Sequence, residues 1–206
     1  HPIVKGYDYV ILPLYSTRQK GEVPEKSGLN QWKAGGRSRN VNEVYIPVPP
    51  IIHKLYPDFF PKRDESFELQ LPDGKKLSAK ICQANGKALM SNPNSDLGEW
   101  LLRKILKKEE GSLVTKLDLD TFGFDSIMVV NTHKVNEDGL KIFRLEFAED
   151  QNNFQEFIGT LDVHLFRETD NLNSEVRLVG CFIKFTNDFS CFGYRNYWRS
   201  SPTSSL

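Results

Sequence analysis

Cysteine is scarce in this sequence, and long apolar runs are absent from it. The 206 residues include only three cysteines, Cys82, Cys181 and Cys191, and none of them forms a CxxC pair. This spacing argues against a zinc site, and an odd number of scattered cysteines is typical of free thiols in a reducing compartment. No run approaches the ~18 apolar residues that a membrane helix needs, so we expect no membrane association.

The start of the chain shows neither a signal peptide nor a methionine, because it begins His1-Pro2. We therefore expect an excised fragment of a longer protein, with a neighbouring domain. The composition, 39% hydrophobic and 26% charged, is that of an ordinary globular chain with enough apolar side chains for a core.

Motifs of common catalytic sites are also missing from the sequence. The histidines match neither a metal-binding HExxH motif nor the His-x-Lys spacing of phospholipase-D-type nucleases. There is no GxSxG nucleophile motif and no phosphate-binding P-loop. Asp118 and Asp120 could form a metal pair on one side of a predicted strand, but no further ligands accompany them, and a solvated strand face is the simpler interpretation. We expect no catalytic residue, no metal and no cofactor.

The net charge of zero hides an uneven distribution of charge along the chain. Residues 1–54 carry 8 Lys and Arg against 4 Asp and Glu, and residues 75–108 carry 8 against 2. The other two stretches, residues 55–74 and 109–206, are acidic. Two basic segments are compatible with one positive face that meets a polyanion, although two solvated basic surfaces would give the same counts.

Short alternating or β-branched runs dominate the pattern of secondary structure. They predict strands over residues 7–15, 44–48, 66–71, 76–82, 113–119, 126–131, 141–147, 159–166 and 175–186. Two helices are predicted, over residues 49–56 and 96–107, from a proline near the start of the first and a capping residue at the start of the second. Many short strands with two short helices predict a mainly β barrel or pseudobarrel.

A long polar loop over residues 27–40 connects the first two predicted strands and carries side chains suited to base edges and phosphates. Arginine can bond guanine through two hydrogen bonds, and asparagine or glutamine can bond adenine in the same way. A loop of this length without regular structure is usually functional or disordered, and the apolar runs at both ends favour a tethered, functional loop. A second polar connection, residues 83–95, falls in the other basic segment.

Three stretches of the chain together resemble a known family. They are residues 9–18 (YVILPLYSTR), residues 27–40 with Tyr45-Ile-Pro47, and residues 91–102 (SNPNSDLGEWLL). As a set they closely resemble the C-terminal DNA-recognition domain of BfiI/NgoAVII-type restriction endonucleases. Those enzymes join a phospholipase-D-like nuclease to a domain similar to the plant B3 DNA-binding pseudobarrel. The resemblance covers about residues 7–147 well, and the segment after about residue 150 only loosely.

The resemblance implies a mainly β fold, a seven-stranded B3-like open β-barrel (pseudobarrel) with two short helices and a C-terminal β extension. A single domain would span residues 1–206, with its core over residues 7–147 and the extension over residues 148–206. An N-arm (residues 16–42) and a C-arm (residues 83–96) would recognise a specific double-stranded DNA sequence in the major groove.

The resemblance also implies partners and a cellular setting. The fragment would bind DNA without cutting it, as the target-recognition domain of a bacterial, cytoplasmic restriction endonuclease. Its partner besides DNA would be the N-terminal nuclease domain of the parent chain, and the isolated domain would be monomeric. Two other functions stay open, a nuclease with an unrecognised carboxylate metal site and a protein-interaction module.

The candidate DNA-binding residues lie in the two arms and their flanks. They are Arg18, Ser27, Asn30, Gln31, Trp32, Lys33, Arg37, Arg39, Asn40, Lys80, Lys87, Ser91, Asn92 and Asn94. The two arginines of the polar loop are the first candidates, for bases or phosphates. Lys87 suits a phosphate or a base, and Lys80 suits a phosphate.

Several of these candidates have a structural alternative. The amides of Asn30, Gln31 and Asn40 could read bases or hold the loop through turn hydrogen bonds. Trp32 could stack on a ligand or serve only as the apolar anchor of the loop. Asn94 could contact DNA or cap the helix that follows it.

Overall fold

The computed structural model describes residues 2–19, 21–148 and 153–159, and seven strands lie within these residues. The strands are β1 (Tyr9–Pro13), β2 (Ile46–Pro47), β3 (Ser66–Gln70), β4 (Lys76–Cys82), β5 (Ala88–Ser91), β6 (Ser126–Val135) and β7 (Lys141–Phe147). Six of them lie at positions where the sequence predicts strands. β5 was not predicted, because its four residues lie within a polar stretch.

The seven strands belong to one sheet with the order β1-β6-β7-β3-β4-β5-β2. All neighbouring strands are antiparallel except β3 and β7, which are parallel. The two outer strands, β1 and β2, approach each other, so the sheet curls into a nearly closed barrel. The prediction of a seven-stranded, B3-like pseudobarrel is confirmed.

The interior of the barrel is filled by the inward-facing residues of these strands. Phe67 of β3 and Phe143 of β7 are fully buried and meet edge to face, with ring centroids 4.9 Å apart. Burial of one such ring stabilises the fold by about 1.5–3 kcal/mol. Alternation along β4 places Leu77, Ala79 and Ile81 in the same core. The side chains between them therefore point to the outside of the barrel, toward the surface described below.

Helices connect the strands at three places. They are α1 (Pro50–Leu55), α2 (Asp96–Gly98), which continues as a π-helix over Glu99–Ile105, and α3 (Lys116–Phe122). The first two were predicted. Residues 154–159 are also helical, so the prediction of a strand beginning at Gly159 is wrong there. Of the predicted C-terminal β extension, residues 148–206, the structure describes Ala148 and residues 153–159. The remainder of the extension lies outside the described residues.

The prediction of a strand over residues 113–119 is wrong, because helix α3 begins inside it. Thr115 and Asp118 form a reciprocal capping box at its start, and Gly123 ends it in a left-handed conformation with φ of 95°. The two carboxylates considered as a metal pair thus lie on a helix. Each is paired with a lysine, Asp118 with Lys108 at 2.9 Å and Asp120 with Lys116.

We predict that Asp118→Asn lowers the stability of the domain in a pH-dependent way. Burial alone would raise the pKa of Asp118, but hydrogen bonds from Lys108 and Thr115 outweigh it and hold this pKa below its usual value. A lowered folded-state pKa stabilises the fold above the unfolded pKa of about 3.9, and the contribution is lost as the pH falls through the folded value. Urea unfolding should show that Asp118→Asn lowers the free energy of unfolding by about 1 kcal/mol at pH 7 and by less at acidic pH. A loss independent of pH would contradict the assignment.

Candidate nucleic-acid interface

Asn30 lies inside the N-arm and is completely buried. Its side-chain amide donates to the carbonyl oxygens of Pro24 at 2.9 Å and Val114 at 2.8 Å, and its oxygen accepts from the Val114 N–H at 2.9 Å. A side chain with these partners is unavailable to a base. Of the two alternatives for Asn30, the structure therefore favours the structural one, and we remove this residue from the DNA-binding set.

Trp32 anchors the same part of the arm. It lies in a kinked 3-10 segment, Gly28–Lys33, and its ring packs against the main core. Its indole nitrogen is buried and has no hydrogen-bond acceptor among the described residues. The anchor alternative accounts for this placement. Gln31 lies in this 3-10 segment and Ser27 directly precedes it. Both are partly exposed, and the Ser27 side chain makes no capping hydrogen bond.

Arg37 and Arg39 share one partner, the carboxylate of Glu43. Their guanidinium groups lie at 2.5 Å each from the same Glu43 oxygen, Oε1. The Glu43 side chain is only 3% exposed, that of Arg39 is 14% exposed and that of Arg37 is 50% exposed. The two arginines, equivalent in the sequence, thus differ in the structure, since only Arg37 presents much of its guanidinium to solvent.

The end of the N-arm is fastened to helix α2 and its π-helical continuation. Arg103 donates to the side-chain oxygen of Asn42 at 2.7 Å and to the backbone oxygen of Val41 at 3.0 Å. Gly98 allows close approach, since a Cβ at that position would lie 1.7 Å from the Asn42 carbonyl oxygen. Asn40 is exposed, and its oxygen accepts from the Asn42 N–H at 2.8 Å, so its amide nitrogen remains available.

The predicted C-arm is not one polar loop, because strand β5 divides it. Ser91, at the end of β5, is completely buried, donates to the Pro93 carbonyl at 2.8 Å and accepts from the Leu97 N–H at 2.9 Å. Ser91 thus does the capping that was considered for Asn94, and we remove it from the DNA-binding set. Asn92 is exposed and Asn94 is half-buried, and neither side chain bonds to a described residue.

The other part of the C-arm is a tight turn over residues 83–87. Gln83 and Asn85 have positive φ values of 66° and 58°, and His53 holds the turn through a 2.8 Å hydrogen bond to the Gly86 carbonyl. The carbonyl of Lys87 accepts from the Val48 N–H at 2.9 Å, while its side chain is exposed. The turn therefore presents a lysine on a backbone fixed on both sides.

A strip of sheet between these segments faces outward. Cys82, Ala88 and Met90 form a small cluster there, covered by Tyr45. Lys80 lies directly beside Met90 on the neighbouring strand, with its Nζ 3.9 Å from an Asp64 oxygen. Cys82 is buried and packs within this cluster, and burial raises the pKa of its thiol.

The register of β2 and β5 orders the parts of the surface. Ile46 pairs with Leu89 and Pro47 with Ala88 in antiparallel register, so residues before β2 lie beside residues after β5. The end of the N-arm and residues 92–94 are thus at one end of the strip, and Lys87 is at the other. Lys87 and Asn92 lie on either side of the four residues of β5 and are five positions apart, which corresponds to roughly 16 Å of strand.

Cations are distributed over this surface. The side chains of Arg18 and Lys87 are exposed and make no hydrogen bond or ion pair with another residue in the described part of the chain. Lys33 is 41% exposed and lies 3.9 Å from a Glu25 oxygen, a distance at which solvent weakens the pair. These side chains can therefore turn to phosphates at little cost.

Residues 9–133 match the family described as the NgoFVII C-terminal B3-like DNA-binding domain. The chain belongs to this family. The match includes both arms and the strip between them, and it confirms the resemblance seen in the sequence. The domain is thus a B3-like DNA-binding domain. A comparison with curated proteins gave no match.

Two residues of this surface were missed by sequence reasoning. Glu43 is not among the sequence candidates, because in a loop a spacing of four from Arg39 does not by itself indicate a pair. Tyr45 is part of a predicted strand and of the family resemblance, but the sequence did not mark it as a site residue. The prediction that the remaining candidates contact DNA stays a prediction.

Proposed function

We propose that this domain recognises a specific double-stranded DNA sequence in the major groove, as the target-recognition domain of a restriction endonuclease. The N-arm with residues 92–94 would enter one side of the groove, and the 83–87 turn the other. One observation carries the proposal, the antiparallel register of β2 and β5, which leaves two polar segments at opposite ends of one strip. The rise of five strand positions separates these ends by roughly 16 Å, a span comparable to a major groove about 12 Å wide.

The side chains fall into two groups by their chemistry and exposure. Base contacts are proposed for groups with planar donors and acceptors, Arg37, Gln31, Asn40, Asn92 and Asn94, since such groups can read base edges. Phosphate contacts are proposed for Arg18, Ser27, Lys33, Lys80 and Lys87, which position a protein on the duplex. Arg39 and Trp32 would hold the N-arm in place, Arg39 through its hydrogen bond to the Ala34 carbonyl and Trp32 through its packing against the core.

The parent protein would supply the cutting. In this proposal a nuclease domain elsewhere in the parent chain cleaves, and this domain selects the site and acts as a monomer. No helix in the described parts of the chain is long and apolar enough to cross a membrane.

Selection from a randomised duplex library tests the proposal. We expect the domain to retain DNA at moderate salt and to enrich one short motif. Retention without enrichment, falling steeply with salt, would reduce the function to phosphate binding. Magnesium-dependent cutting by this chain alone would favour a nuclease, and no retention at any salt would favour a protein-interaction module.

A further inference from the structure

Glu43 is a buried acid that directly follows the basic N-arm. Its side chain is 3% exposed, and the two guanidinium groups of Arg37 and Arg39 converge on a single oxygen. A buried carboxylate is tolerated when it is paired and hydrogen-bonded, and two guanidinium groups can lie side by side when an anion is between them. We propose that Glu43 is a positioning residue that sets which N-arm arginine reads DNA, an inference that rests on the proposed function.

The two arginines have different roles in this arrangement. Arg39 closes the arm on itself, because its Nε also donates to the Ala34 carbonyl at 3.0 Å and its side chain is 14% exposed. Arg37 donates to the Ser38 carbonyl at 3.0 Å and to Glu43, and half of its side chain faces solvent. A guanidinium group has more N–H donors than these two bonds use. Arg37 therefore keeps donors for a base while its orientation is fixed.

The pairing with Glu43 lowers the net positive charge beside the two arginines and fixes the orientation of Arg37. The Glu43 carboxylate cancels one of two positive charges, which weakens the attraction to phosphates of any sequence. In return it holds Arg37 in one orientation before DNA arrives, so that less ordering is required on binding. Removal of this charge should therefore move specific and non-specific affinity in opposite directions. A merely structural role would lower both.

Glu43→Gln tests this directly, with Glu25→Gln as the matched control. Glu25 belongs to the N-arm, is 73% exposed and, among the described residues, is paired with Lys33 at 3.9 Å. Binding is measured to the selected duplex and to a scrambled duplex at the same salt. For Glu43→Gln we expect about tenfold weaker binding to the selected duplex, as for the loss of a charged hydrogen bond. Binding to the scrambled duplex should strengthen by roughly two- to threefold.

The control removes the same charge at a position that is paired with Lys33 and not with Arg37 or Arg39. Glu25→Gln should strengthen binding to both duplexes alike and leave their ratio unchanged. Glu43→Asp is a second variant in case the first folds poorly. It keeps the charge but shortens the reach, so binding to the scrambled duplex should stay as in the wild type while the preference for the selected duplex falls.

A measurement without DNA separates the inference from the proposed function. Trypsin cuts after arginine, so cleavage at Arg37 and Arg39 in the folded protein reports how firmly the arm is held. We expect about tenfold faster cleavage in Glu43→Gln than in Glu25→Gln, because local opening becomes easier.

The outcomes are distinguishable. An unchanged ratio of selected to scrambled binding in Glu43→Gln, or an equal loss on both duplexes, would refute the role of Glu43 and leave the proposed function standing. If the wild-type domain binds no duplex, the proposed function fails and the role in DNA readout with it, whatever trypsin shows about the arm.

Discussion

Replacing Asn30 with alanine is expected to lower the free energy of unfolding by about 2–4 kcal/mol. The change removes three hydrogen bonds to the backbone of Pro24 and Val114 and leaves those groups buried without their partner. Each unsatisfied buried group costs about 1–3 kcal/mol, and partial relaxation offsets some of the sum. For a domain of this size the melting temperature should fall by roughly 5–15 °C.

Urea unfolding followed by tryptophan fluorescence measures this effect. Asn40→Ala is the matched control, since Asn40 lies in the same arm but is exposed and makes one turn hydrogen bond, to the Asn42 N–H. Its removal should cost less than about 1 kcal/mol. Equal losses in the two variants would show that Asn30 does not hold the arm to the 114 segment, and would return it to the set of possible base readers.

Replacing Arg37 with alanine is expected to weaken binding to the selected duplex by about 1–3 kcal/mol, roughly 5- to 150-fold. Arg37 is the more exposed of the two arginines bound to Glu43, with 50% of its side chain exposed. A bidentate contact to guanine would be lost, while the fold of the barrel should be unaffected. Enrichment of the motif should disappear at one base position.

Two variants show whether geometry or charge is responsible. Arg37→Lys keeps the charge but lacks the planar pair of donors, so it should lose the preference for the selected duplex as Arg37→Ala does. Lys33→Ala removes an exposed charge of the same arm, and should weaken binding to all duplexes evenly and lower the salt slope by about 1. If Arg37→Ala behaved like Lys33→Ala, Arg37 would be a phosphate contact only.

Much of the fold could be predicted from the local pattern. The alternation of apolar and polar residues predicts β3 and β4, and the two strands pair as antiparallel neighbours. β5 was missed because its four residues are too few to show a period between polar flanks. The prediction of a strand over 113–119 is wrong because a short apolar run is compatible with the period of a helix as well as that of a strand. The capping box of Thr115 and Asp118 stabilises the helix that forms there.

The sequence by itself determined which chemical groups the arms carry: the arginines, lysines and amides, and the two basic segments that hold them. Only the tertiary structure decided which of these groups remain free. Asn30 and Asn40 are both asparagines of the N-arm, ten positions apart. The side chain of Asn30 is hydrogen-bonded to Val114, which is 84 positions away, whereas Asn40 faces solvent. Arg37 and Arg39 likewise pair with the same residue, Glu43, yet the side chain of Arg37 is half exposed and that of Arg39 is mostly buried. The reason is physical, because exposure and hydrogen-bond partners depend on contacts between distant parts of the chain, which no local pattern encodes.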